Sequence, residues 1–235
     1  MLFLSFKHSL ALLCKTAVKI NLSKVASIRE EYTLGRLNRV NLMPNPFNQF
    51  DAWLNNAYDA KVKEPNAMCL ATVNNNGQPS VRMVLLRGFS EKGFVFYTNY
   101  LSKKGKAIGE NNKVSILFFW QALQQQIRIE GSCEKVPAEQ SNEYFNARPF
   151  ESRVASAISP QSSVVENRGV IANKFLNELE KVKAKKEIER PKQWGGYIVK
   201  PNLFEFWQGR KSRLHDRFQY TKKTNNNWRI DRLAP

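Results

Sequence analysis

Histidine and cysteine are scarce in this chain of 235 residues, which holds two of the former and three of the latter. Cys14, Cys69 and Cys133 lie far apart and are odd in number, so they supply neither a disulfide framework nor a CxxC pair for zinc. His215 is the one histidine beyond residue 8. A His-rich metal centre is therefore excluded, no metal is expected, and any triad hydrolysis would hang on His215 alone. GxGxxG after a strand, a Walker-type Gly-Lys-Ser/Thr loop and a GxSxG elbow are all missing. The longest apolar run near the start, LALLC (Leu10–Cys14), falls far short of the roughly 20 residues that cross a bilayer. A soluble protein of a reducing, cytoplasmic compartment is the expectation.

Acidic residues are also in short supply. Thirty-seven Lys and Arg stand against 20 Asp and Glu, a net charge of +17, which must attract nucleic acid, a membrane surface or phosphorylated metabolites. Charge alone does not choose among them. No acid precedes Glu30, whereas Lys7, Lys15, Lys19, Lys24 and Arg29 do occur there. Residues 1–30 read as an N-terminal extension outside the fold, with a mitochondrial presequence as the alternative to a disordered tail. Hydrophobic content of 42% lets residues 31–235 bury one substantial core.

What the chain does have is closely spaced strand-forming segments. AMCLATV (Ala67–Val73) and VRMVLLRGF (Val81–Phe89) flank an Asn-Gly turn and predict a hairpin. GFVFYTN (Gly93–Asn99), VSILFFW (Val114–Trp120) and QQIRIEGSCEKV (Gln125–Val136) follow, and GGYIVKP, LFEFWQG, RLHDRFQY and WRIDRL close the chain, with a hairpin tip at Asn225–Asn227. Short strands separated by turns predict a barrel. Helices are expected over SKKGKAIGENN, over PAEQSNEYFNARP from Pro137, and over the charged run Glu166–Arg190, ended by Pro191. The stripe Ile171, Phe175, Leu179 and Val182 on that last helix reads as packing. The class is mainly β with peripheral helices.

Arginines are spread over the element junctions, and a fold that gathers several of them makes more than one phosphate site, because the planar guanidinium fork pairs with phosphate oxygens. Ser102, before the KKGKA helix, adds a hydroxyl and helix N-terminal N–H groups. In the last quarter EFWQGRKSRLHDRF (Glu205–Phe218) crowds Arg210, Arg213 and Arg217 around His215 and Asp216 among aromatics, an arrangement suited to a flat anionic ligand. With hydrolase and metal signatures missing, a redox reaction carried by an organic cofactor fits these residues. Nucleic-acid binding, with aromatics among the basic residues as stacking platforms, is the competing reading.

RMVLLR (Arg82–Arg87), YTN (Tyr97–Asn99), SKKG (Ser102–Gly105), YFNARP (Tyr144–Pro149), QSS (Gln161–Ser163), EFWQG, RLHDRF and the terminal RLAP resemble the pyridoxamine 5′-phosphate oxidase family, in the same order and with compatible gaps. The resemblance spans residues 31–235. It implies a homodimer of FMN-binding split β-barrels with each flavin at the subunit interface, acting on small molecules and on neither nucleic acid nor membrane. Carried across, Arg82, Ser102, Lys103 and Lys104 surround the flavin phosphate, Met83, Val84, Leu85, Tyr97 and Thr98 line the flavin's path, and Gln126 meets its ring edge. Gln161, Ser162, Trp207 and Arg217 are expected from the partner chain. Arg87, Tyr144, Arg148 and Ser152 correspond to the substrate-phosphate set, with Arg87 a departure from the family's usual lysine. Arg213 and His215 correspond to the catalytic pair that embraces the pyridine ring. The implied reaction oxidises pyridoxamine 5′-phosphate or pyridoxine 5′-phosphate to pyridoxal 5′-phosphate, with hydride passing to the flavin and O2 reoxidising it to H2O2. A split-barrel flavoprotein with another role would share the flavin segments without needing YFNARP and RLHDRF.

Overall fold

The structure, a computed structural model, describes residues 30–184, 187–225 and 227–235. The expectations for residues 1–29 lie outside the described residues. Among the described residues nine antiparallel strands form one sheet: β1 (Ala67–Val73), β2 (Pro79–Leu85), β3 (Gly88–Ser90), β4 (Gly93–Asn99), β5 (Lys113–Trp120), β6 (Gln125–Lys135), β7 (Trp194–Gln208), β8 (Asp216–Lys222) and β9 (Trp228–Leu233). Their order is β2-β1-β5-β6-β7-β4-β3, with β8 added to β7 and β9 to β8. The predicted β1–β2 hairpin is present. Asn74 Oδ1 accepts from the Asn76 and Gln78 N–H groups, and Gly77 takes the positive φ of 77° that the turn requires.

Two departures from the expected strands give the sheet its shape. The single strand expected over 81–89 breaks after Leu85, because the chain there leaves β1 and crosses to β4. Leu86 N–H donates to Asn66 O and Arg87 N–H to Val95 O, so residues 86–87 carry the chain between the two ends of the strand order and curl the sheet into a barrel. GGYIVKP and LFEFWQG, expected as separate strands, form the continuous β7. Its first part (Trp194–Val199) pairs with β4 and its last (Leu203–Gln208) with β8, while β6 runs along the other edge. The changeover sits at Pro201, which lacks an N–H, opposite a register shift at Glu130/Gly131. A Cβ on Gly131 would collide with the Lys200 carbonyl oxygen, so glycine is needed there. RLH is not strand: residues 211–213 form a 3-10 turn, with Ser212 and Arg213 at φ 56° and 60°.

Helix α1 (Pro46–Asp59) was not anticipated, although its start is legible: Asn45 Oδ1 accepts from Phe47 N–H and Pro46 occupies the first turn. It buries Phe47, Phe50, Trp53, Leu54 and Ala57 in the barrel core. The Phe50 ring lies 4.9 Å from Phe89 and from Phe94 and 5.1 Å from Phe118, and burial on this scale contributes about 1.5–3 kcal/mol per side chain. Helices α2 (Lys103–Glu110) and α3 (Ala138–Asn146) fall where expected. Helix α4 (Phe150–Ile158) is additional, and α5 (Arg168–Lys183) stops short of Pro191. Among the described residues no helix is long and apolar enough to cross a membrane.

Candidate active site

A cleft of about 790 Å³ opens where the edge of β2 and the end of β4 face α2, α4 and α5. Met83, Val84 and Leu85 form one wall, Tyr97, Thr98 and Lys104 a second, and Arg87, Tyr144, Arg148 and Ser152 the far end. Ile171 and Phe175 line the cleft from α5, so half of the stripe read as packing faces the site.

Lys104 is held near its base. Its Nζ donates to Thr98 Oγ1 (3.1 Å), Gln161 Oε1 (3.1 Å) and Ser102 Oγ (3.3 Å), all neutral acceptors. Behind it Arg82 donates from Nη1 to Leu70 O and Thr72 Oγ1, and from Nη2 to Ser80 Oγ. Burial, reinforced by the neighbouring Arg82 charge, lowers the Lys104 pKa, and burial alone lowers that of Arg82. Ser102, expected at the phosphate, is fully buried. Its hydroxyl caps α2 by accepting from Gly105 N–H and donates to Asn99 O, so it reaches the cleft only through Lys104. Lys103 is exposed on α2 and does not line the cleft.

A second cation pair occupies the far end. Arg148 donates from Nη1 to Ser156 Oγ at 2.7 Å, and its guanidinium lies 4.8 Å from the Trp194 ring centre. Burial first, then the nearby charge of Arg87, holds the Arg148 pKa down against the opposing effect of Tyr144. Tyr97 and Tyr144 stack at 3.9 Å, and Trp194 lies parallel to both. No ion pair among the described residues involves Arg82, Arg87, Lys104 or Arg148. Concentrating like charges without carboxylates is unfavourable in the free protein and favourable around two bound anions.

The remaining expected residues gather elsewhere. Gln126, Trp207 and Arg217 fall in one cross-strand row on β6, β7 and β8, between Phe119 and Leu233. Arg217 donates from Nε to the buried Glu205 (2.8 Å) and from Nη1 to Ala234 O, and the Glu205 hydrogen bond raises its pKa. Glu205 also accepts from Arg128 at 2.9 Å. His215 lies beside the row, its ring 4.6 Å from Trp207, and its Nδ1 accepts the Arg210 N–H. The neutral ring therefore carries its proton on Nε2. Burial and the charges of Arg213 and Arg217 lower its pKa. Asp216 binds Arg232, Arg210 and the Leu37 N–H, not Arg213 or His215.

The fold thus divides the expected residues into two groups, a cleft and a sheet-face row, with neither Arg213 nor His215 in the cleft of the same chain. Beyond Ser102, Lys103 and Gln126, Gln161 is also placed differently from expectation. Gln161, assigned to the partner-chain group, hydrogen-bonds Thr98 and Lys104 of its own chain, while Ser162 sits exposed beside it at φ 72°. Trp194 and Ser156 were missed. The signal for Trp194 was a tryptophan opening a strand before Gly195 and Gly196; Ser156 carried none. Among the described residues no cluster of His, Cys, Asp or Glu suits a metal, and Cys69 and Cys133 are free thiols.

Comparison with known proteins agrees with the resemblance. Residues 54–178 match the family described as pyridoxamine 5′-phosphate oxidase, and residues 194–235 match the pyridoxine 5′-phosphate oxidase C-terminal dimerisation region. A pyridoxine/pyridoxamine 5′-phosphate oxidase from Bacteroides thetaiotaomicron is 46% identical over 214 residues, covering 91% of this chain and 100% of the relative. One from Gloeothece citriformis is 47% identical over 211 residues, covering 90% and 98%. Among solved structures, PhzG from Burkholderia lata, in complex with tetrahydrophenazine-1-carboxylic acid, superposes with a TM-score of 0.80 at 27% identity, over 86% of this chain and 99% of that one. A pyridoxamine 5′-phosphate oxidase-related, FMN-binding protein from Nostoc punctiforme shares the fold, with a TM-score of 0.65 at 17% identity over 83% and 100%. By both family matches and by relatives spanning nine-tenths of its length, the chain belongs to the pyridoxine/pyridoxamine 5′-phosphate oxidase family of enzymes.

Proposed function

We propose that the cleft holds FMN and a vitamin B6 phosphate ester together, and that the chain oxidises pyridoxamine 5′-phosphate and pyridoxine 5′-phosphate to pyridoxal 5′-phosphate. The observation that carries this reading is a concentration of cations without carboxylate partners, Lys104 backed by Arg82 and Arg87 beside Arg148, with Lys104, Arg87 and Arg148 lining one cleft that has a flat aromatic wall. Two anions are wanted there, and a phosphorylated cofactor with a phosphorylated substrate supplies them. The donor set fits FMN: Lys104 meets its phosphate with the Arg82 charge behind it, and Met83, Val84 and Leu85 lie along its length. FMN, when bound, supplies the hydride acceptor that O2 afterwards reoxidises with release of H2O2.

The chain's own contribution is placement. Arg148, Arg87, Tyr144 and Ser152 grip the substrate phosphate away from the reacting carbon. Arg213 and His215 embrace the pyridine ring, and the neutral His215 offers Nε2–H as a donor. Because they and the Gln126–Trp207–Arg217 row lie apart from the cleft of their own chain, we infer a homodimer in which each row closes over the partner's cleft, as the dimerisation region at residues 194–235 supports. The exposed Val81, Met83 and Phe119 on that sheet would be covered in such a dimer. We place the enzyme in the cytoplasm, compatible with its bacterial and cyanobacterial relatives.

The test is purification followed by a visible spectrum and addition of pyridoxine 5′-phosphate in air. A yellow protein that forms pyridoxal 5′-phosphate and H2O2, and that bleaches on substrate addition without oxygen, is the expected result. A colourless protein with strongly salt-dependent RNA affinity would overturn it.

A further inference from the structure

Arg148 is braced from two sides by residues that no expectation included. Trp194 is 6% exposed and locked in place: it lies parallel to Tyr97 (5.6 Å, 13°) and to Tyr144 (6.3 Å, 2°), with Phe145 edge-on at 5.2 Å. The ring also carries the Arg148 guanidinium, 4.8 Å from its centre. On the other side the Ser156 hydroxyl accepts from Arg148 Nη1 at 2.7 Å and donates its single proton to Ser152 O at 2.9 Å, so its orientation is fixed. A guanidinium has five N–H donors. Among the described residues Ser156 is their one hydrogen-bond partner, which leaves the other donors available to the cleft.

An arginine on a long flexible stem loses rotamer freedom each time it grips an anion, and the loss weakens binding unless the side chain is already ordered. Tyr144 and Arg148 both contact Trp194, while Ser152 meets Arg148 through Ser156, so three of the four expected phosphate residues share one scaffold. We propose that Trp194 and Ser156 are positioning residues for a phosphate monoester, acting through Arg148. The inference rests on the function proposed above.

The flavin-saturated protein and its Trp194→Leu, Trp194→Phe and Ser156→Ala variants are titrated calorimetrically with inorganic phosphate, alongside the KM for pyridoxine 5′-phosphate and the FMN dissociation constant. Trp194→Leu should weaken phosphate and raise KM together by about tenfold, as loss of a desolvated cation–π contact predicts. Ser156→Ala should do so by about three- to tenfold through loss of a charge-assisted hydrogen bond. Trp194→Phe, which keeps an aromatic face, should recover most of the loss, and FMN affinity should move less than about twofold in all three. Unshifted phosphate affinity in both Trp194→Leu and Ser156→Ala overturns the proposal, as does an FMN loss that tracks the phosphate loss. Should Trp194→Leu not fold, Ser156→Ala decides alone. The titration needs no turnover, so a wild-type chain that binds phosphate but fails to oxidise the ester counts against the function and leaves the brace to be judged separately.

Discussion

Replacing Lys104 by methionine should move stability and cofactor affinity independently. In the free protein the Lys104 ammonium is half-buried, has no carboxylate partner and faces Arg82, which together lower its pKa. Methionine has a similar length and removes that unfavourable charge. What is lost is three bonds to neutral oxygens at 3.1–3.3 Å, but Thr98 Oγ1 still reaches Gln161 Oε1 and Ser102 still bonds Asn99 O. The two effects oppose one another and are each about 1 kcal/mol, so the apoprotein Tm should shift by no more than a few degrees. FMN binding has no such compensation. A charged hydrogen bond to phosphate is worth about 1.5–3 kcal/mol, so the FMN dissociation constant should rise by about 10- to 150-fold. Flavin fluorescence titration reads the second quantity and an apoprotein melt the first. The same reasoning sets a pH dependence: a lysine with a lowered folded pKa destabilises the apoprotein below that pKa, and the penalty disappears as pH rises towards its unfolded value of 10.5. Wild-type apoprotein should therefore gain stability relative to the variant at alkaline pH. A variant that binds FMN within twofold of wild type, or an apoprotein that melts more than ten degrees lower, would refute the reasoning about Lys104.

Arg148→Ala should raise the KM for pyridoxine 5′-phosphate by about 10- to 100-fold with little change in FMN content, because it removes binding remote from the reacting carbon; steady-state kinetics beside the flavin absorbance ratio checks this. Arg213→Ala and His215→Ala should each lower turnover or substrate affinity while the protein stays yellow, and unaltered kinetics in both would remove them from the site. Since burial and two arginines lower the His215 pKa, the acid limb of kcat/KM that it controls should fall below the ordinary imidazole value of 6.5, with loss of activity as the ring gains its proton. Gly131→Val should destabilise the fold by about 3 kcal/mol or more in urea unfolding, since its side chain meets backbone that cannot move aside.

Strands β1, β4, β5 and β6 and the start of α2 were readable along the chain because each rests on local chemistry: alternation, an Asn-Gly turn, a serine cap. Ordered segments such as YFNARP and RLHDRF also pointed to the family, whose matches at residues 54–178 and 194–235 include both of them. What the sequence could not decide is who meets whom. The break at residues 86–87, the fork at Pro201 and the split between cleft and row depend on pairings between strands far apart in the chain, and no local period encodes those. Gln161 reaching Lys104, and Trp194 lying under Arg148, are likewise products of packing between distant elements. Residue types determined the chemistry available to this protein; long-range strand pairing and side-chain packing determined where it is assembled.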